Sequence, residues 1–288
     1  MAEIYSMTGF GKSVVSNPSK KITVEVKSLN SKQSDINFRL PSMYREKEAD
    51  LRYKVVEMLD RGKIDVSIQC EIIGTEKAPK LNLALIQSYL DQLGTLDRKS
   101  DSESGALAAI LRFPDVLSGE DALDEEEINL LTAATTEALE KVRDFRAKEG
   151  AKLEADLQAR LDAIEKNLDA VPAHEEERLQ AVKDRLRKNI DTLAEKVDEN
   201  RFEQELIYYL EKLDINEEKV RLKTHLDYFR QVMEKGGPVG KKLGFISQEI
   251  GREINTMGSK ANHAAIQKLV VQMKDELEKI KEQTLNIL

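Results

Sequence analysis

The sequence predicts an α+β protein: an N-terminal antiparallel sheet with helices, followed by a long helical hairpin and an all-α C-terminal domain. Three observations predict it. Runs of β-forming residues with a period of two are confined to the first third of the chain. Charged residues make up 34% of the 288 positions and aromatics only 5%, with no Trp, a balance that favours long helices with charged faces over a sandwich. From about Glu125 onward, apolar residues recur at helical spacing. The segments that follow are 1–124 (α+β), 125–200 (hairpin) and 201–288 (helical, carrying the candidate site).

The elements read in order. Ile4 to Val15, Ile22 to Leu29 and Ser34 to Leu40 are strand candidates, and Asn17–Pro18–Ser19 turns the first into the second. Within KITVEVKSL, Ile22, Val24 and Val26 alternate with Thr23, Glu25 and Lys27, the pattern of a half-buried strand. Pro41–Ser42 opens a helix to about Asp60, with Gly62 as its left-handed stop. Lys63 to Ile73 is a fourth strand. Asn82 can cap a further helix that ends near Gly94. Leu153, Leu157, Leu161, Ile164, Leu168 and Val171 keep one apolar stripe, which Pro172 breaks. Leu179, Val182, Leu186, Ile190, Leu193 and Val197 resume it, so an antiparallel hairpin is expected. An arm this long is expected to bury its stripe on the returning arm and on another subunit. Gly150 allows a kink, or a fold-back into a compact bundle. Phe202, Leu206, Tyr209 and Leu213 form a further stripe. Leu222, Leu226, Phe229 and Met233 form the next, and Glu218, Arg221, His225 and Tyr228 lie turned away from it. Gly236 to Gly240 ends that helix, and a final amphipathic helix carries Ile266, Leu269, Met273, Leu277 and Ile280.

Composition excludes several classes. The lone Cys70 rules out an internal disulfide framework and a cysteine-based zinc site, and its apolar setting (IDVSIQCEII) reads as a small buried hydrophobe. No secretory signal and no apolar run of 18 residues is visible, so a cytoplasmic protein without membrane spans is expected. The net charge of −8 is unevenly laid out. Residues 1–75 carry 12 basic and 10 acidic side chains, residues 236–288 carry 8 and 6, and the stretch between carries 25 and 37. Both ends are thus mildly basic, and local fields matter more to an anionic partner than the total.

Two glycine-rich stretches fail as phosphate loops of nucleotide hydrolases. GFGKS (Gly9–Ser13) has Ser6 where the first Gly belongs, and GGPVGKK (Gly236–Lys242) lacks both the first Gly and the final Ser or Thr. Backbone amides of the second loop, with Lys241 and Lys242 beside them, suit an anionic phosphate, or the loop is an ordinary helix connection. His174 precedes three glutamates and reads as a solvated cap. No HExxH occurs. The segment QEIGREINTMGSKANH (Gln248–His263) is less ordinary. Glu249 and Glu253 stand four apart, a repulsive spacing on a helix, with Gly251 between them and Arg252, Asn255, Thr256, Ser259 and Lys260 following. The two acids could share a hard ion such as Mg²⁺ or Mn²⁺, which takes one or two carboxylates plus water, or each could pair with a cation nearby. Acids for a metal, His225, and Arg, Lys and Asn in one helical region together describe a site for a phosphodiester. There is no aromatic stacking motif of the RRM kind, so a backbone-led RNA contact is expected.

The motifs SMTGFGK, SLNSKQ and RGKIDV resemble the N-terminal domain of the YicC/YloC family. EQEL, DINEEKVRLKTHLDYF, GGPVGKKLGFISQEIGREINTMGSKA and LEKIKEQTLNI resemble its C-terminal domain. The likeness spans nearly the whole chain. Ser31–Lys32–Gln33 stands where many members carry an Asn-His-Arg-Tyr-like run, and Gly244 where many carry Asp. The resemblance implies an endoribonuclease preferring single-stranded RNA, dependent on a divalent metal (Mg²⁺ or Mn²⁺), and a homo-oligomeric ring, expected to be a hexamer, that encloses RNA. Carried onto matching positions, it suggests Glu249, Glu253 and Glu205 for metal and His225 as general acid/base. Arg221, Arg252, Lys241 and Lys260 would meet phosphate, with Lys242 and Asn255 as further RNA contacts. Gly251 would allow a helix or the RNA a close approach. The competing class is a non-catalytic RNA-binding adaptor ring that presents RNA to a partner nuclease. The weakest reading is a coiled-coil scaffold.

Overall fold

The computed structural model describes residues 3–31, 33–73, 80–94, 103–113, 116–118, 125–192 and 199–288. Lys32 and the expected stripe positions Leu193 and Val197 lie outside them. By packing, the chain forms two compact units. One comprises Phe10–Lys27 and Ser34–Val142, and the other Met1–Gly9, Ser28–Gln33 and Arg143–Leu288.

The first unit is built on four strands, β1 (Gly9–Ser16), β2 (Lys20–Leu29), β3 (Asp35–Arg39) and β4 (Lys63–Ile72), in the order β1-β2-β4-β3. Asn17 makes the first turn: its Oδ1 accepts from the amides of Ser19 (3.1 Å) and Lys20 (2.7 Å). One pairing departs from the antiparallel expectation. β3 and β4 run parallel, Asp35 beside Lys63 through Arg39 beside Ser67. The reason is the connection: a 3₁₀ turn (Ser42–Lys47) and helix α1 (Glu48–Leu59) cross over the sheet and return the chain in the same direction, as parallel pairing requires. Asp60, at φ 51°, shares the turn into β4 with Gly62. Ile22, Val24, Val26, Ile64, Val66 and Ile68 face inward against Leu51, Val55 and Leu59 of α1 and Leu131, Ala138 and Val142 of α4 (Glu125–Ala170). Cys70 packs at the rim of this core. Buried Glu127 has both oxygens engaged, by Tyr44 Oη (2.6 Å) and Lys20 Nζ (2.8 Å). Burial, and hydrogen bonding with Cys70 and Glu127, push the Tyr44 hydroxyl pKa far up. A satellite cluster joins α2 (Leu83–Gly94) to α3 (Glu103–Ile110), beside the short pair β5 (Lys80–Leu81) and β6 (Leu117–Ser118). Asn82 caps α2 as expected, its Oδ1 accepting from the Leu85 amide at 3.1 Å.

In the second unit, α4 continues as helix through Gly150. There the backbone of Ile4 packs so close that a Cβ would strike its carbonyl. Pro172 ends the stripe in a 3₁₀ turn (Val171–His174), and α5 (Glu175–Thr192) and α6 (Glu199–Lys212) follow. Leu157, Leu161, Ile164, Leu168 and Val171 join one core with residues of α7 (Asn216–Lys235), α8 (Gly240–Lys260) and α9 (Ala264–Thr284). That part of the long arm therefore finds its cover within the same chain. Gly236 and Gly237, at φ 59° and 79°, turn α7 into α8, a backbone region that costs glycine little. The C-terminus threads back: Gly240 N–H donates to Leu288 O (2.8 Å), and Leu288 N–H to Tyr5 O (3.0 Å).

Candidate active site

α7 and α8 are antiparallel neighbours, and two contacts fix their register. Near the start of α7, Glu218 Oε1 accepts from Lys260 Nζ at the end of α8, 2.7 Å away. Near the other end, Lys242 Nζ lies 5.1 Å from the Tyr228 ring centroid. Between these contacts the same flank carries Arg221 and His225 on α7, and Glu249 and Glu253 on α8, by helical spacing. The structure thus brings most of the sequence-predicted group onto one helix–helix seam. Gly251 serves a different neighbour. A Cβ there would meet Leu277 Cδ2 at 3.1 Å, so the helix that approaches is α9.

The members differ in how they are held. Glu253 is 5% exposed as a residue and makes no hydrogen bond or ion pair with any described residue, and its carboxylate oxygens still reach solvent. Glu249 is exposed, with Arg252 Nη1 at 3.8 Å. Arg221 is exposed and held by Glu217 at 2.5 Å. His225 is half-buried, while Asn255, Lys241 and Lys242 are exposed. Glu218 is also 5% exposed, and its Oε2 is buried with no partner. Sequence reasoning placed Glu218 on this face without giving it a role. Its spacing of seven from His225 was the available signal, but burial was not legible.

Some expectations divide differently. Lys260 was expected to meet phosphate and is engaged by Glu218 instead. The amides of Gly236, Gly237, Val239 and Gly240 already donate to Met233, Glu3, Gly237 and Leu288 carbonyls, so the glycine loop is a helix connection and not a phosphate cradle. Glu205 stands exposed on α6. Among the described residues no group of three or more His, Cys, Asp or Glu is placed to hold a metal. The acids left for a hard ion are Glu249, shared with Arg252, and Glu253, one turn apart on α8, the one or two carboxylates such an ion can take with water. His174, read as a solvated cap, stacks on His263 with ring centroids 5.9 Å apart.

A seam of acids, histidine and basic side chains on the helical unit is the chemistry that handling a phosphodiester calls for. The comparisons make this specific. Residues 4–155 match the family described as Endoribonuclease YicC-like, N-terminal region, and residues 171–288 match Endoribonuclease YicC-like, C-terminal. The chain belongs to the YicC-like family. It is 34% identical over 290 residues to "Probable endoribonuclease YicC" of Clostridioides difficile (strain 630), covering 98% of this chain and 99% of that protein. It is 33% identical over 286 residues to the protein of the same name in Haemophilus influenzae, covering 99% of each.

Proposed function

We propose that this chain is a cytoplasmic, metal-dependent endoribonuclease that cuts single-stranded RNA inside a homo-oligomeric, hexameric ring and serves RNA turnover. The endoribonuclease part rests on full-length kinship with relatives of that name. The observation that carries the site is Glu253, an acid without a protein partner whose oxygens reach solvent, one turn from Glu249 on α8, with His225 and Arg221 on the neighbouring helix α7. Glu249 and Glu253 would hold a divalent ion, Mg²⁺ or Mn²⁺, which when bound supplies a Lewis acid for the phosphoryl oxygens and favours ionisation of the attacking hydroxyl. His225 moves a proton at its imidazole, to the leaving oxygen or from the nucleophile. Arg221 and Arg252, each held only by an exposed acid, can turn to the phosphate and stabilise charge developing on it. Lys241, Lys242 and Asn255 line the approach. Exposed Ile207, Tyr208 and Tyr209 on α6 and Val220 on α7 supply apolar surface of the kind that self-association covers. No described helix is long and apolar enough to cross a membrane.

One observation favours the adaptor reading. Lys260 and Glu218 form an interhelical ion pair, the arrangement expected if the seam only holds helices together and a partner nuclease does the cutting. The test uses purified protein, an end-labelled single-stranded RNA of about 25 nucleotides, Mn²⁺ or Mg²⁺ against EDTA, and the Glu249→Ala/Glu253→Ala variant. The enzyme reading expects metal-dependent internal cuts that vanish in the variant while RNA binding persists. RNA bound but never cut by the wild type would transfer the seam to the adaptor.

A further inference from the structure

In the sheet unit, strand alternation sends Gly11 and Ser13 of β1 toward α4, where Ser13 Oγ donates to Glu137 (2.7 Å). It leaves Phe10, Lys12 and Val14 on the opposite, solvent side. On β2, Glu25 and Lys27 share that side. Lys12 Nζ meets Glu25 at 2.8 Å, and Lys27 Nζ lies over the Phe10 ring, 6.0 Å from its centroid. Phe10 is 41% exposed and belongs to no core cluster, so folding alone does not account for it. Lys27 and Arg39 have no ion pair among the described residues.

We propose that the β1–β2 half of this face is a second RNA contact, separate from the helical seam. The Phe10 ring stacks a base of a single strand, and Lys27 and Lys12 meet the flanking phosphates. The inference rests on the RNA reading above. An exposed ring on an open sheet, beside ammonium groups, is the arrangement by which single strands are held without sequence preference. Charge selects the half. Lys12, Lys21 and Lys27 outnumber Glu25 on β1–β2, whereas on β3–β4 Asp35, Asp65 and Glu71 outnumber Arg39 and Lys63 and make that half the less favourable for a phosphate backbone. The Lys12–Glu25 and Lys21–Glu71 pairs are solvent-exposed and hold little energy, so their lysines can exchange carboxylate for phosphate. Phe10, Val14 and Leu29 are the large exposed apolar groups of this half, three side chains against the roughly 800 Å² per side that a protein partner needs.

The test measures binding of a fluorescein-labelled 25-nucleotide single-stranded RNA in EDTA, to wild type, F10L, F10Y and K27Q. Light scattering and circular dichroism monitor assembly and folding. A 4-thiouridine-substituted RNA is cross-linked and its adduct mapped. F10L is expected to weaken binding roughly tenfold with mass and spectrum unchanged, and F10Y to restore it. K27Q should reduce the salt-dependence slope by about 1, and the adduct should sit on the tryptic peptide ending at Lys12. F10L binding as wild type does, or an adduct found only on other peptides, overturns the proposal. So does a changed mass in F10L, which would make the face a contact between copies. Wild type that neither binds nor cuts RNA would sink the function reading itself, a result distinct from all of these.

Discussion

Both units bury glutamates, and they are kept differently. Glu127 in the sheet unit is 7% exposed, and both its oxygens are engaged, by Tyr44 and Lys20. In the helical unit, Glu218 has one oxygen engaged by Lys260 and the other buried without a partner, and Glu253 has no partner among the described residues. A buried carboxylate with full pairing holds a fold together. One without it destabilises the folded state until a cation or donor arrives. On the function proposed above, the contrast is between an acid that serves the fold and acids left free to serve the site.

The largest expected effect tests the unpaired side. Glu253→Gln preserves volume and removes the charge. Cleavage of single-stranded RNA in Mg²⁺ or Mn²⁺ is expected to fall about 100-fold or more, with thermal stability close to wild type, since no ion pair or hydrogen bond is lost. A variant that cuts normally, or that unfolds, breaks the contrast. Glu127→Ala tests the paired side. It strands Lys20 and the Tyr44 hydroxyl, and should destabilise the protein by about 3 kcal/mol in urea titration, while whatever folds keeps its turnover per molecule. Gly240→Ala comes next. Its Cβ would run into the Ile287 carbonyl, so the C-terminal thread must shift, at about 1–3 kcal/mol, read in the same titration.

How far the sequence foretold this follows from which forces act locally. Alternation in KITVEVKSL, the Asn17 turn, the Asn82 cap and the helix starting at Glu125 were all legible, because each depends on neighbours a few residues apart. The parallel pairing of β3 with β4 was missed, because direction is set by how the Pro41–Leu59 crossover lies on the sheet, which no short window contains. At the site, the i,i+4 pair Glu249 and Glu253 was visible as a spacing. That one of them is buried and the other exposed depends on α7 and α9 packing to either side of α8. The glycine loop misled for a related reason: its amides are used by Glu3 and Leu288, from the two ends of the chain. Phe10 went unremarked because an exposed ring and a buried ring look alike in sequence.

The smallest effect comes from a charge cluster in the helical unit that is fully paired and should therefore behave like Glu127. Glu276 on α9 gives Oε1 to Lys279 (2.7 Å) and Oε2 to Arg160 (2.8 Å). The Lys279 hydrogen bond, opposed by partial burial and aided by Arg160, holds its carboxyl below the ordinary 4.5. A depressed carboxylate stabilises the fold above its unfolded pKa, and the contribution fades as pH falls from about 4.5 through the folded value. Glu276→Gln should therefore melt slightly below wild type at pH 7, by about 0.5 kcal/mol for groups this near solvent. The two melting curves should converge as pH falls through the folded value, below which both side chains are neutral. RNA cleavage at pH 7 should be unaffected. A Glu276→Gln variant that lost cleavage while folding normally would mean that full pairing does not mark a structural acid here, and the distinction drawn from Glu127 and Glu253 would fail within the helical unit itself.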